Sequence, residues 1–269
     1  MPKPLPQGLE VRQARPEDVS SLARLLVHSP DDGTLYQFPH VLEYPDEMHK
    51  LHAGWLCSTV CSPTTLVRVA VLPKDGKQAI VGFSSWMKRE ADPGSEGSTR
   101  LAELNRVTFT ERMQTEETPP LAKERKALEA DEKHSEAVRR VRKQAPPSLT
   151  ASVPSYELNG LAVHADYQGY GIGSLLVRWG LGRAAEDGLP VFATGEAQGV
   201  DFYEKALGFR RVLGTEFWLD KDGQDISGSD VKQGGNEEWK KVNGGLSGAE
   251  MVWCPKGYEI DIRGEVYRG

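Results

Sequence analysis

The stretch "DYQGYGIGSLLVRWG", residues 166–180, constrains the fold of this chain more than any other. It places Gly169, Gly171 and Gly173 directly after the strand-like run "SYELNGLAV" and directly before a run with helical periodicity. Glycines let a ligand approach the backbone closely, and the N–H groups and the dipole of a helix N-terminus favour anions. The stretch therefore predicts a phosphate-binding loop within a layered α/β or α+β domain.

Two common phosphate-binding loops do not fit the glycine spacing. A P-loop has a lysine and a Ser or Thr after its last glycine, but Ser174 and Leu175 follow Gly173. A dinucleotide loop has G-x-G-x-x-G and an acidic residue closing the next strand, whereas that strand ends at Thr194, with Glu196 just beyond. Triphosphate and dinucleotide ligands are disfavoured, and coenzyme A is a third candidate, because its pyrophosphate can lie on the backbone N–H groups of a helix N-terminus.

The rest of the chain alternates between strand-like and helix-like patterns. Before the loop, we predict strands over 9–14, 64–72, 78–88 and 155–163, helices over 15–29 and 46–62, and an aromatic-rich loop over 29–41. After it, we predict a helix ending at Gly188, a strand over 189–194, a helix over 199–207 ending at Gly208, and a strand over 209–219. Residues 220–248 are rich in turn signals, and 249–255 predict a last strand.

We predict a single domain over 1–269, with a charged insertion at about 89–152 and a turn-rich extension at about 220–269. The insertion has good helix formers, charges of both signs and only a thin apolar stripe, so a solvated helix is its simplest interpretation. A lid over a ligand and a partner-binding segment remain as alternatives.

Charge and cysteine content narrow the class of protein further. The net charge of −6 gives no reason to expect nucleic-acid or membrane partners, and no apolar run has the length of a membrane span or signal peptide. A cytoplasmic protein is the simplest expectation, with monomer and homodimer both open.

Cys57, Cys61 and Cys254 lack metal-ligand spacing, so we expect neither a disulfide framework nor a metal site. Cys57 and Cys61 share a helix face and are predicted to be buried.

The segment around the loop resembles the acetyl-CoA-binding segment of the GNAT superfamily of N-acetyltransferases. The family hallmark Q/R-x-x-G-x-G/A matches Gln168, Gly171 and Gly173, and "FYEKALGF" is similar to the Tyr-Glu-Lys-x-Gly-Phe ending of the next helix, with one extra Ala. The resemblance runs from about 157 to 212 and is nearest to small-molecule acetyltransferases common in fungi.

That resemblance implies a mixed, mostly antiparallel central sheet flanked by helices, and transfer of an acetyl group from acetyl-CoA to a primary amine of a small molecule. A coenzyme-A-binding sensor without catalysis and a protein or peptide N-acetyltransferase are the alternatives.

The resemblance also implies which residues hold acetyl-CoA. The pantetheine arm would contact the backbone of Leu161, Ala162 and Val163. The pyrophosphate would lie on the loop amides of Gln168, Gly169, Tyr170, Gly171, Ile172, Gly173 and Ser174.

Tyr203 is the candidate general acid for the leaving thiolate. A phenol of pKa about 10 can donate to a thiolate of about 8.5 at a cost of roughly 2 kcal/mol, and a hydrogen bond alone already helps. The alternative is a tyrosine packed at a helix–sheet contact, because Phe202 and Phe209 are core candidates.

Glu157 is the candidate base or proton-relay residue. It lies four residues before Leu161, where some family members carry a carboxylate base, and strand alternation would place Glu157, Asn159 and Leu161 on one face. A solvent-facing or salt-bridged glutamate is the alternative.

The acceptor pocket is predicted from aromatic residues. Tyr36, Phe38 and His40 lie in the loop between the first two helices, which helps form the acceptor pocket in related enzymes, and Trp86 is a further candidate wall. Ordinary aromatic anchors of the loop are an equally good interpretation.

Overall fold

A computed structural model describes most of the chain outside the predicted insertion. The described residues are 3–30, 32–37, 43, 45–74, 76–89, 136, 153–212, 215–224, 226, 245–260 and 266–268. Phe38, His40 and almost all of the insertion lie outside them, so the predictions made for those residues stay predictions.

The first half of the chain forms three antiparallel strands with helices on one face. The strands are β1 (Glu10–Gln13), β2 (Thr65–Lys74) and β3 (Lys77–Arg89), and the helices are α1 (Val19–His28), α2 (Asp32–Gln37) and α3 (Pro45–Cys61). Side chains of β2 and β3 alternate between the faces: Val69 and Phe83 pack against α1 and α3, and Ala70 and Val81 face the opposite way.

The second half completes the sheet and adds helices to the opposite face. Its elements are β4 (Ser155–Val163), α4 (Ile172–Asp187), β5 (Val191–Glu196), α5 (Ala197–Leu207), β6 (Arg210–Arg211), β7 (Phe217–Leu219) and β8 (Leu246–Trp253), followed by the hairpin β9 (Tyr258–Ile260) and β10 (Val266–Arg268). The strand order is β1-β2-β3-β4-β5-β8-β6, with β7 also paired to β8. Among the described strands only β4 and β5 pair in parallel, which confirms the predicted mixed, mostly antiparallel sheet flanked by helices.

Glycines end both helices of the second half where the sequence predicts it. Gly188 has φ 64° at the end of α4, and Gly208 has φ 75° at the end of α5. Only glycine adopts this left-handed conformation without a steric cost, so the two helix ends are fixed locally.

Three sequence predictions about secondary structure are wrong. The predicted loop over 29–41 contains α2, and the predicted strand over 209–219 divides into β6 and β7. The predicted last strand begins earlier, at Leu246, and lies between β5 and β6, with a hairpin after it. Almost every side chain of β8 is buried, so its sequence lacks the alternation of apolar and polar residues that indicates a half-exposed strand.

Cys57 and Cys61 are exposed, which corrects the prediction that they are buried. The helix α3 packs against its neighbours through Ala53, Leu56 and Val60. Cys57 and Cys61 directly follow Leu56 and Val60, so their side chains face outward. Among the described helices, none combines the length and the hydropathy needed to cross a membrane.

Candidate active site

A cleft opens where two neighbouring strands separate. β4 and β5 pair only at Tyr156–Val191, Glu157–Phe192 and Leu158–Ala193. Beyond these positions β4 stays paired with β3 as far as Val163, and β5 stays paired with β8 as far as Glu196. A cavity of about 770 Å³ lies between them. In the described part of the chain, no strand pairs with the edge of β4 that faces the cavity, so its backbone groups are available to a ligand.

A β-bulge shapes the β4 side of the cleft. Ser85 pairs with Gly160 and Trp86 pairs with Leu158, so Asn159 is an extra residue on β4. Leu158 and Leu161 both pack against α4, which places Glu157 and Leu161 on opposite faces. The prediction that these two share a face is therefore wrong. The Asn-Gly pair inside a strand pattern was the available signal, because an isolated glycine there often marks a bulge.

The glycine loop lies at one end of the cavity and forms part of its lining. Gly169 and Gly171 have φ 78° and 79°. The first intrahelical bond of α4 runs from the Leu175 N–H to the Gly171 carbonyl at 3.0 Å, so the amides of Ile172 and Gly173 precede it. These amides, the helix dipole and the open glycine backbone suit a pyrophosphate.

The predicted coenzyme residues come together around this cavity with one exception. Those that line it are Leu161, Ala162, Val163, Gln168, Gly169, Gly171, Ile172, Gly173 and Ser174. The Gln168 side chain donates to the Val163 carbonyl at 3.1 Å, which ties the loop to β4. Tyr170 is not part of the lining; its side chain packs with an apolar cluster of β2 and α4.

The N-terminal segment adds a contact that the sequence did not predict. The Lys3 N–H donates to the Gly169 carbonyl at 3.1 Å, and the Lys3 ammonium lies 4.8 Å from the centre of the Tyr170 ring. A positive charge therefore stands beside the glycine loop.

Tyr203 lines the cavity from α5, opposite β4. Its side chain is 6% exposed, and its ring lies 5.3 Å from Phe202 and 5.2 Å from Phe209 between centroids. A Cβ on Gly195 would come within 3.2 Å of the Tyr203 ring, so β5 also restricts the position of this ring. Its role as general acid stays a prediction.

Glu157 lines the same cavity and forms an ion pair with Arg89 at the end of β3. The two side chains are 26% and 20% exposed, so the pair is partly screened by solvent. Both sequence interpretations of Glu157, the salt-bridged residue and the base, are compatible with this position, and its role as base stays a prediction.

Trp86 does not form a wall of the cavity, which corrects the sequence prediction. Its side chain has no exposed surface and its indole Nε1–H donates to the Ser84 hydroxyl at 2.9 Å. It packs directly on the backbone of α4, because a Cβ on Gly180 would lie 2.2 Å from the indole ring. A large apolar side chain at this position of β3 contributes to the core rather than to a pocket.

Tyr36 is also not a wall of this cavity, and that prediction is corrected too. It is 8% exposed in a cluster with Phe217, Leu219 and Leu246, and its hydroxyl donates to the Asp220 carbonyl at 2.6 Å. Burial, together with the nearby Asp220 carboxylate, raises the pKa of Tyr36 to about 12. Tyr36 therefore anchors the segment after β7.

The cavity is also lined by residues that the sequence did not single out as site residues. Leu26, Ser29 and Pro30 reach it from the end of α1, and Thr194 and Glu196 reach it from β5. The Ser29 hydroxyl accepts a hydrogen bond from the Ala165 N–H at 3.1 Å, which joins α1 to the segment before the glycine loop. Within the described residues, no group of three or more His, Cys, Asp or Glu side chains is arranged to hold a metal ion.

Comparison with known proteins agrees with this geometry. Residues 136–209 match the model of the acetyltransferase (GNAT) family, and no curated protein matches the chain. A mutant of agmatine N-acetyltransferase in its apo form matches with 16% identity, a TM-score of 0.50, and coverage of 92% of this chain and all of that one.

Two further solved structures match at lower TM-scores. Mosquito arylalkylamine N-acetyltransferase like 5b has 17% identity, a TM-score of 0.48 and coverage of 91% and 99% of the two chains. Arabidopsis thaliana NAA60 with a bisubstrate analogue has 13% identity, a TM-score of 0.45 and coverage of 93% and 99%. The segment that is similar to the acetyltransferase (GNAT) family contains β4, the glycine loop, α4, β5 and α5.

Proposed function

We propose that the chain is an N-acetyltransferase that moves an acetyl group from acetyl-CoA to a primary amine of a small molecule by direct attack on the thioester. One observation carries the proposal: β4 and β5 separate after three paired positions, and the cleft between them has the glycine loop at one end. As in the fungal enzymes that the sequence resembles, the acceptor is a small molecule. A cavity of about 770 Å³ is of the size that small molecules occupy.

The donor binds through backbone groups. The free edge of β4, from Leu161 to Val163, offers N–H and C=O groups to the amides of an extended pantetheine arm, much as a strand offers them to a neighbouring strand. The amides from Gln168 to Ser174 receive the pyrophosphate. When bound, acetyl-CoA supplies the acetyl group as an activated thioester.

Three groups of the chain then assist the transfer. A lysine-like amine of pKa about 10.4 is only about one part in 10³ neutral at pH 7, so removal of its proton costs about 4–5 kcal/mol. Glu157 accepts that proton, directly or through water. A backbone N–H of β4 donates to the carbonyl oxygen as negative charge develops there. As the C–N bond forms and the C–S bond breaks, the Tyr203 hydroxyl donates its proton to the sulfur, and the second proton lost by the amine nitrogen passes through water to restore the Tyr203 hydroxyl.

Thiol release from acetyl-CoA tests the proposal directly. The purified chain is incubated with acetyl-CoA and a panel of primary amines, and free thiol and the mass of the product are measured. We expect thiol release that depends on the amine, with equal amounts of N-acetylated product. Binding of acetyl-CoA without turnover on any amine would favour a sensor, and acetylation of peptide amines alone would favour a peptide acetyltransferase.

A further inference from the structure

We propose that the N-terminal segment, residues 3–8, holds the glycine loop in the conformation that binds the pyrophosphate, with the backbone N–H of Lys3 as the positioning group. This inference rests on the proposed function, because it concerns how acetyl-CoA is held. Three observations support it: the bond from Lys3 to the loop, the anchoring of the segment, and the position of the Lys3 ammonium.

The first observation is the hydrogen bond from the Lys3 N–H to the Gly169 carbonyl at 3.1 Å. Gly169 lines the cavity, whereas Lys3 is not among the described residues that line it. The bond therefore directs the Gly169 carbonyl oxygen toward a residue outside the lining. This orientation matters because N–H groups attract a phosphate, whereas a carbonyl oxygen repels it. Lys3 keeps an unfavourable dipole away from the proposed pyrophosphate.

The glycine loop needs such a contact because Gly169 permits more than one orientation of the peptide that follows it. Gly169 has φ 78°, and the position that its Cβ would occupy is open space. Without a side chain, its backbone angles are restricted little, so the carbonyl can turn either way at low cost. The Gln168 side chain ties the preceding part of the loop to β4. The bond from Lys3 then selects the orientation of the next peptide.

The second observation is that the N-terminal segment is itself anchored. The Leu9 N–H donates to the Pro6 carbonyl at 3.2 Å, and Gly8 has φ 79°, as the third residue of a type II turn requires. Directly after this turn, β1 begins and pairs with β2. Pro4 and Pro6 favour extended backbone at the residues before them, so the segment loses little conformational entropy when Lys3 contacts the loop.

The third observation is the position of the Lys3 side chain. Its ammonium lies 4.8 Å from the centre of the Tyr170 ring, so the backbone and the side chain of Lys3 contact consecutive residues of the loop. Tyr170 and Leu9 pack against the same apolar cluster, which joins the segment to the start of α4. The charge attracts a phosphate but is exposed and screened by salt, whereas the backbone hydrogen bond involves no net charge.

Coenzyme binding and the contact of the segment with the loop should strengthen each other. If the Lys3 bond favours the loop conformation that binds coenzyme A, bound coenzyme A favours the Lys3 bond by the same factor. The segment is then part of the donor site without being part of the cavity lining.

Calorimetric titration with coenzyme A tests the inference through two substitutions at one position. Lys3→Gln removes the charge and keeps the N–H, whereas Lys3→Pro removes both. We expect the Kd of Lys3→Pro to exceed that of Lys3→Gln by about fivefold, the effect of one backbone hydrogen bond. This ratio should be the same at low and high salt, because screening acts on the charge that both variants lack. At saturating acetyl-CoA, kcat should stay at the wild-type value in both.

Gln7→Pro is the matched control, because it adds a proline to the same segment and keeps the Lys3 N–H. Gln7 is exposed and is the second residue of the type II turn, a position that proline favours, so the wild-type Kd should be kept. Equal Kd values for Lys3→Pro and Lys3→Gln, or equal weakening by Gln7→Pro and Lys3→Pro, would overturn the inference and leave the proposed function standing. Absence of coenzyme-A binding by the wild-type chain would overturn both.

Amide exchange in the wild-type chain tests the same coupling without relying on a variant that has to fold. The Lys3 amide is observed by NMR in the chain labelled with 15N-lysine, and it is identified by its absence from the spectrum of Lys3→Gln. Saturating coenzyme A should slow its exchange with solvent by about fivefold, the factor expected from the binding measurements. An exchange rate that coenzyme A leaves unchanged would overturn the inference.

Discussion

In the proposed function, the two sides of the cleft recognise their ligands by different chemistry. The donor side is made of backbone: the free edge of β4 and the amides that begin α4. The acceptor side is made of side chains, among them Glu157 and Glu196, which come from different strands. Recognition by backbone groups requires glycines, which are visible in a short stretch of sequence. Recognition by side chains requires residues that come together only in the folded chain. This difference explains why the sequence leads to a proposal for the donor and leaves the acceptor open.

The largest effect is expected on the acceptor side, from Glu157→Gln. If Glu157 accepts the amine proton, the variant should lower kcat about 100-fold, leave the Kd for acetyl-CoA unchanged and remove the acidic limb of the pH–rate profile. Stopped-flow thiol release across pH measures the rate, and calorimetry measures the Kd. Arg89→Met is the matched control, because it breaks the same ion pair but keeps the carboxylate. An unchanged rate and acidic limb in Glu157→Gln would discard the assignment.

A smaller effect on turnover is expected from Tyr203→Phe. Loss of the hydroxyl should lower kcat by at least about tenfold and change the affinity for acetyl-CoA little, because the ring stays packed between Phe202 and Phe209. Tyr167→Phe is the control, since Tyr167 is another tyrosine that lines the cavity. Equal loss in both variants, or no loss in Tyr203→Phe, would remove Tyr203 from the mechanism.

The donor side is tested by Gly171→Ala, which should act on binding rather than on turnover. Gly171 has φ 79° with open space around it, so an added methyl causes backbone strain without a clash. Strain of about 1–2 kcal/mol should weaken acetyl-CoA binding about tenfold, because the amides that follow must shift. Gly182→Ala is the matched control in the interior of α4, also in open space, and should keep the Kd. An unchanged Kd in Gly171→Ala would contradict backbone recognition of the phosphates.

The smallest effect is expected from Lys3→Gln, also on the donor side. Its ammonium stands beside the glycine loop but is exposed, so its loss should raise the Kd for acetyl-CoA about threefold at low ionic strength and less at high salt. Calorimetry at two salt concentrations measures this. A Kd that does not respond to the substitution at low salt would leave the donor side dependent on backbone alone.

Local signals predicted the elements around the loop well. The bounds of β4, the end of α4 at Gly188 and the end of α5 at Gly208 follow from apolar patterns and glycines within a few residues of each position. The residues that line the cavity around the glycine loop were singled out for the same reason, because they are contiguous and follow one strand. Residues that are close together in the sequence determine these parts of the fold.

Non-local contacts account for the failures. Trp86 was predicted to line a pocket because Gly180, the residue of α4 on which it packs, is distant from it in sequence. Glu196 was noticed only as a residue just past a strand, because its contact with Gly33 depends on the packing of α2 over β5. The bulge at Asn159 reverses the face on which the following residues of β4 lie. The residues of a single strand do not determine its register with the neighbouring strand.

The place of β8 has a consequence for how the chain folds during synthesis. Val191 at the start of β5 pairs with Trp253, so one edge of β5 stays unpaired until residues 246–253 have left the ribosome. Until then Phe192 and Ala193 lie on a strand with an unpaired edge, which is a template for pairing with another chain. A nascent or prematurely terminated chain that already has the glycine loop is therefore at risk of aggregation, and β8, which is made after that loop, protects the strand that carries Glu196.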